Sequence, residues 1–425
     1  MKQRTTSDFR RAVRSNASGA PLLALALILP LTQTATLPAQ VLPRAVPESV
    51  GFSSERLAEA TGLLQQLVQE QKIAGAVAAV ARRGKLAYLE AVGVQDLSTR
   101  APMTERSLLR IYSMTKSITA VAAMMLHEEG KFALDDPVAK YIPEFANVKV
   151  GLPDGTTRQP ARGITVADLL LHTSGLNHRT SAIYRDEKVR AREMTMAQFI
   201  ANLVRVPLME DPGTRFRYSE GTTVVGHLVA IWSGMPFEQF LETRIFRPLG
   251  MTDTRFWAAT PEQRARLTTV YAPVPGGGIT PVEIETVPFT ERPTLIEGAV
   301  GLLSTVPDYL RFSQMLLGKG ELGGTRLLKA ATVEMMVRNG LSDAIQQLRG
   351  GSNGWGLANV NVLLRPNANN SASVGEYSWD GTAGTIFWVD PVQETIIILM
   401  TQSAPSNPDQ IRQRFKAIVQ RARID

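Results

Sequence analysis

The chain has 425 residues, 46 Lys and Arg against 39 Asp and Glu, and no cysteine. Its 44% hydrophobic and 20% charged content is that of a globular protein with a large core. Lack of cysteine excludes disulfides, thiol nucleophiles, thiolate metal sites and a lipid-modified cysteine, and a core this large needs no covalent staple even outside the cell.

The N-terminus differs from the rest. Lys2, Arg4, Arg10, Arg11 and Arg14 precede an apolar run from Pro21 to Leu31, then a small-residue stretch ending Leu37-Pro38-Ala39-Gln40. This layout predicts a secretory signal peptide over 1–39, cleaved after Ala39, and hence a periplasmic or secreted protein. The run is too short to span a bilayer as a helix, and no later segment reads as transmembrane. Residues 1–39 carry +4 of the formal +7, so the remainder is near +3. That excess is too small to argue for nucleic acid as a partner. The block Arg179 to Arg192 is mixed in sign and reads as a solvated surface.

In chain order, Leu57, Leu63, Leu64 and Leu67 have helical spacing over 54–71, with Ser53 or Ser54 as cap. Ile73 to Ala81, a turn at Arg82-Arg83-Gly84, and Leu86 to Val92 predict a hairpin. Ser113 to Gly130 reads as an apolar helix ended by glycine. Residues 130–290 read as helix-rich, and a further helix covers 307–317. Strands are predicted at Trp355 to Leu364, Val374 to Trp379, Gly384 to Val389 and Thr395 to Thr401, and a last helix at 409–422. The expected fold is α/β of the α+β type. One antiparallel sheet forms from strands at both ends of the chain (about 40–110 and 290–425), is flanked by helices, and carries a mostly helical insertion (about 111–289). Residues 40–425 are expected to form one domain.

Three short motifs carry chemistry. Ser113-Met114-Thr115-Lys116 sets a hydroxyl and an amine on one helix face at i and i+3. Serine needs a base to become a nucleophile, and a lysine serves if burial or a nearby cation lowers its pKa. At the opening of a helix, the Ser113 N–H is also suited to an oxyanion hole. The tetrad is equally compatible with a capping serine and a solvated lysine. Tyr218-Ser219-Glu220 follows Pro212-Gly213; its tyrosine is either a proton relay or a plain helix-start residue. Trp379-Asp380-Gly381, before Thr382-Ala383-Gly384, is either a core tryptophan at a hairpin or a strand end that lets backbone approach a ligand.

In this order and spacing the three motifs resemble the serine β-lactamase and penicillin-binding superfamily, over most of residues 45–420. Further stretches agree: Leu134-Asp135-Asp136-Pro137, the Ile164 to Leu176 segment ending His172-Thr173-Ser174-Gly175-Leu176, Ile245 to Met251, and Gly298 to Thr305. The nearest branch is the class C-like one, including family VIII carboxylesterases, whose members often carry W-x-G where the lactamases carry K-T-G. The resemblance implies Ser113 as nucleophile, Lys116 as general base and Tyr218 as proton relay. It places Trp379 and Gly381 beside the substrate and assigns the oxyanion hole to the N–H groups of Ser113 and Thr382. His172 and Gly175 are implied to be structural.

Two departures shift the expectation from lactams and peptides towards esters. Trp379 lacks the cation that K-T-G offers to a substrate carboxylate. Glu220 replaces the asparagine usual in Y-x-N, and an ionised carboxylate only accepts hydrogen bonds. The expected activity is therefore hydrolysis of small carboxylic esters through an acyl-enzyme. A β-lactamase or DD-peptidase and a non-catalytic ligand-binding protein on the same fold are the alternatives. No metal and no cofactor are expected, since His127-Glu128-Glu129 lacks a second zinc histidine and no phosphate-binding glycine loop occurs. Gly350-Gly351-Ser352-Asn353-Gly354 matches G-x-S-x-G. It lacks the strand–turn–helix context, however, and all four histidines lie upstream of it. Trp232-Ser233-Gly234 reads as a helix end.

Overall fold

The structure is a computed structural model that describes residues 42–365 and 371–425. The predicted signal peptide lies outside the described residues. Seven strands form one antiparallel sheet: β1 (Gly75–Arg82), β2 (Lys85–Gly93), β3 (Asn353–Gly356), β4 (Val360–Leu363), β5 (Tyr377–Asp380), β6 (Thr385–Asp390) and β7 (Thr395–Thr401). Their spatial order is β3-β4-β5-β6-β7-β1-β2. The N-terminal hairpin thus joins the C-terminal strands through β1 and β7, with Ala76 opposite Thr401 and Arg82 opposite Thr395.

Strand periodicity explains how this sheet bears helices on both faces. Every residue of β1 is buried. Val77, Ala79 and Ala81 face the core that holds helix α2 (Thr115–Glu128) and a later helix, Val306–Leu317. Ala76, Ala78 and Val80 face the opposite layer, built from α1 (Ser54–Gln69) and the C-terminal helix Ile411–Arg421. A strand buried on both faces reads as a continuous apolar run, as this one does. The α1 helix starts at Ser53, whose side chain accepts from the Arg56 N–H at 3.3 Å. Its Leu57, Leu63, Leu64 and Leu67 cover the sheet, each contributing about 1.5–3 kcal/mol of burial.

Three boundaries differ from the sequence reading. Ser113 lies in a 3₁₀ turn, Tyr112–Met114, and regular α-helix begins at Thr115. The single strand expected over Trp355 to Leu364 is a hairpin of β3 and β4, reversed through Asn359 at φ +57°; asparagine tolerates this left-handed conformation. Strand β5 starts at Tyr377, three residues later than expected. The helical insertion includes α3 (Gly221–Ser233), which is closed by Gly234 at φ +69° as predicted. Among the described residues no helix is long and apolar enough to cross a membrane.

Candidate active site

The site forms where the start of α2, the start of α3 and the end of β5 meet. Residues Thr115 to Leu126 of α2 are all buried, so Lys116 points into protein and not into water. Its Nζ donates to the Ala299 carbonyl at 3.1 Å and lies 3.4 Å from Ser113 Oγ. The Gly298 to Thr305 segment is held there by tight packing, since a Cβ on Gly298 would lie 2.5 Å from the Thr222 carbonyl oxygen. Burial drives the Lys116 ammonium down to about 7. The Glu220 carboxylate opposes that shift and the Arg179 guanidinium adds to it. A lysine in this state is neutral in a substantial fraction of molecules at neutral pH.

Tyr218 precedes α3, and its ring centroid lies 4.7 Å from Lys116 Nζ. Its hydroxyl accepts from Trp379 Nε1 at 3.2 Å. Burial pushes the phenol well above its ordinary value, against the lowering influence of Ser113 and Trp379, so it stays protonated. Aromatic rings wall this tyrosine: Trp379 at 5.1 Å, His172 at 4.6 Å and Trp355 at 6.0 Å between centroids. His172 Nδ1 accepts from the Ser219 N–H at 3.3 Å and lies 3.2 Å from Ser219 Oγ. Burial, then Lys116, hold His172 far below its usual pKa. Its work is thus to brace the Tyr218-Ser219 turn. Gly175 sits at φ +79°, where a Cβ would lie 2.3 Å from the Glu210 carbonyl oxygen.

Trp379 ends up beside Tyr218, and Gly381 beside the turn that carries Ser113. A Cβ at Gly381 would lie 2.4 Å from the carbonyl oxygen of Ile111, two residues before Ser113. Only glycine permits that approach. Thr382 is exposed, and its N–H has no protein partner among the described residues. Sequence reading missed Arg412, which pairs with Asp380 and donates to the Gly381 carbonyl at 3.2 Å. It lies on the C-terminal helix, where an arginine in a charged stretch gives no local signal of a partner 32 residues away.

Glu220 is fully buried. It accepts from the Arg179 backbone N–H at 3.3 Å and from Thr223 Oγ1 at 3.4 Å. Burial pushes its carboxyl up, but Lys116, Arg179, His178 and Arg190 outweigh this and keep it ionised. The block Arg179 to Arg192 is solvated only in its middle, where Arg185, Asp186, Glu187 and Lys188 are exposed; the arginines at its ends are not the solvated charges that the mixed signs suggest. Arg179 pairs with Glu285 at 3.2 Å, and Arg190 with Glu285 at 2.6 Å and Glu297 at 2.5 Å. Arg192 is 1% exposed and sits 4.1 Å over the Phe289 ring. The charges are buried because their carboxylates arrive from a segment about 100 residues on. Among the described residues no cluster of His, Asp and Glu is built to hold a metal ion. Ser352 lies between a helix, Asp343–Arg349, and strand β3, the reverse of a nucleophile elbow.

A family model described as Beta-lactamase matches residues 60–421. Protein Rv1367c of Mycobacterium tuberculosis is 33% identical over 353 residues, covering 78% of this chain and 86% of that protein. Esterase EstB of Burkholderia gladioli is 28% identical over 364 residues, 80% of this chain and 89% of the esterase. The solved structure of EstCE1, a hydrolase with promiscuous acyltransferase activity, matches with a TM-score of 0.74 at 26% identity, covering 86% of this chain and 98% of that one. These relatives support a serine hydrolase on this fold. The chain belongs to the β-lactamase family.

Proposed function

We propose that the protein is a serine esterase that cleaves small carboxylic esters through an acyl-enzyme on Ser113. The observation that carries this reading is the pairing of two different acid–base groups around one hydroxyl. Lys116, at about 7, is able to accept a proton near neutral pH, while Tyr218 remains a phenol. Lys116 therefore takes the Ser113 proton as Oγ attacks the ester carbonyl. The tetrahedral oxyanion is received by the N–H groups of Ser113 and Thr382. On collapse the ester C–O bond breaks, and the leaving alkoxide takes the Tyr218 proton, which Lys116 replaces. Water then attacks the acyl-enzyme along the reverse proton path, releasing the acid and restoring Ser113.

Substrate class follows from the two departures noted in the sequence. Trp379 presents an indole whose N–H is committed to Tyr218, so it offers no cation to a lactam or peptide carboxylate. Glu220 is buried and turned towards Arg179 and Thr223, away from any role as an amide donor. The name of esterase EstB supports the same class. The layout of residues 1–39 supports export to the periplasm or beyond. The test is turnover of p-nitrophenyl butyrate and nitrocefin by the purified protein and its Ser113→Ala variant. Ester turnover that exceeds nitrocefin turnover and vanishes in the variant is the expected result. Faster nitrocefin turnover would replace this reading with a lactamase or peptidase.

A further inference from the structure

A cleft of roughly 520 Å³ opens beside Thr382 and is lined by Arg179, Tyr184, Arg185, Lys188 and Arg190, with Glu285 as its only carboxylate. That volume suits a small-molecule group. Its charge is uneven in depth. On the floor, Arg179 and Arg190 share Glu285, and Arg190 also holds Glu297, so two cations meet two anions. At the mouth Arg185 and Lys188 are exposed; Arg185 Nη1 donates to the Thr180 carbonyl at 3.3 Å, and neither residue pairs with a carboxylate among the described residues. Two further features connect the cleft to Ser113. The Arg179 guanidinium lies 5.8 Å from the ring of Tyr112, next to Ser113, and Thr382 adjoins Gly381, which packs on Ile111.

We propose that this cleft is a subsite for an anionic group carried by the ester substrate, a carboxylate or phosphate held at the mouth by Arg185 and Lys188. The inference rests on the acyl-enzyme reading at Ser113. It moves the cation that Trp379 does not supply to a different wall of the site. The floor ion pairs fix Arg179 and Arg190 and leave the two mouth residues to meet the ligand, where charge-assisted contacts are the stronger kind. The anion lies on either the acyl or the alcohol side of the ester bond, and the test separates the two.

The full-length protein is assayed on matched pairs: mono-p-nitrophenyl glutarate against p-nitrophenyl valerate, and 4-acetoxybenzoate against its neutral methyl ester. One pair is expected to show kcat/KM at least about tenfold higher for the anionic member, as a charged hydrogen bond gives. That ratio falls towards one in the Arg185→Gln/Lys188→Gln double variant and in high salt. A ratio at or below one in both pairs, with neutral esters still cleaved in a Ser113-dependent way, overturns the subsite and leaves the esterase reading standing. If no ester is cleaved, the esterase reading fails. Calorimetry with glutarate and inorganic phosphate on Ser113→Ala then decides the subsite alone: binding lost in the double variant supports it, and no binding of either anion overturns it.

Discussion

Replacing Gly381 by alanine puts a methyl carbon 2.3 Å from Thr385 Oγ1 and 2.4 Å from the Ile111 carbonyl oxygen. The Thr385 hydroxyl can rotate away. The Ile111 carbonyl is backbone, and the same residue's N–H donates to the Leu302 carbonyl at 3.1 Å. A tolerable carbon–oxygen contact is about 3.3 Å, so strand end and turn must part by roughly 0.9 Å. Because Ile111 leads into the 3₁₀ turn that carries Ser113, that displacement reaches the Ser113 hydroxyl, the proposed nucleophile. A misplacement of about 1 Å costs roughly 10²-fold in rate, and overpacking of this kind costs about 1–3 kcal/mol of stability. The assay is kcat for p-nitrophenyl butyrate together with the thermal unfolding midpoint. Gly62→Ala on α1 serves as control, since its Cβ would meet nothing within 4 Å; its midpoint should be equal or higher. A Gly381→Ala protein with kcat within about twofold of the wild type would refute the claim that close approach of this turn sets the nucleophile.

Lys116, at about 7, is protonated below that pH and neutral above it, so kcat/KM for neutral esters should rise through about pH 7 to a plateau. Lys116→Arg stays charged throughout and should be inactive at every pH; a flat wild-type profile from pH 5 to 9 would contradict Lys116 as base. Glu220→Gln removes the carboxylate that opposes the effect of burial on Lys116, so the acid limb should move to lower pH; an unmoved or alkaline-shifted limb would count against the coupling. Trp379→Phe keeps a ring against Trp355 and Tyr218 but deletes the N–H donated to the Tyr218 hydroxyl. A net hydrogen bond of about 0.5–1.5 kcal/mol predicts a roughly two- to tenfold loss of kcat, and no loss would mean that this contact does not position the phenol.

What the sequence discloses depends on how far apart the partners lie. The Ser113 and Lys116 pairing is local, fixed by helical spacing, and is visible in four residues. Strand β1 is visible because seven small apolar residues in a row, Gly75 to Ala81, suit a strand buried on both faces. Tyr218 and Trp379 become candidates only through the order of motifs, since nothing near either residue says that they touch. The Arg179, Glu285, Arg190 and Glu297 network is invisible to local reading. Its arginines sit in a polar stretch that periodicity assigns to water, and the carboxylates that bury them arrive from about 100 residues away. The β3–β4 turn was hidden for a different reason. Leu357 and Ala358 continue the apolar run, and a lone Asn359 is a weaker turn signal than glycine or proline.

The central claim is that Ser113 becomes acylated. The most direct measurement is to quench the protein during turnover of a p-nitrophenyl ester and map the added acyl mass by peptide mass spectrometry. The account predicts the increment on the peptide containing Ser113, and its loss together with turnover in Ser113→Ala. An increment on another residue, such as Ser352, or ester cleavage that survives in Ser113→Ala, would contradict it.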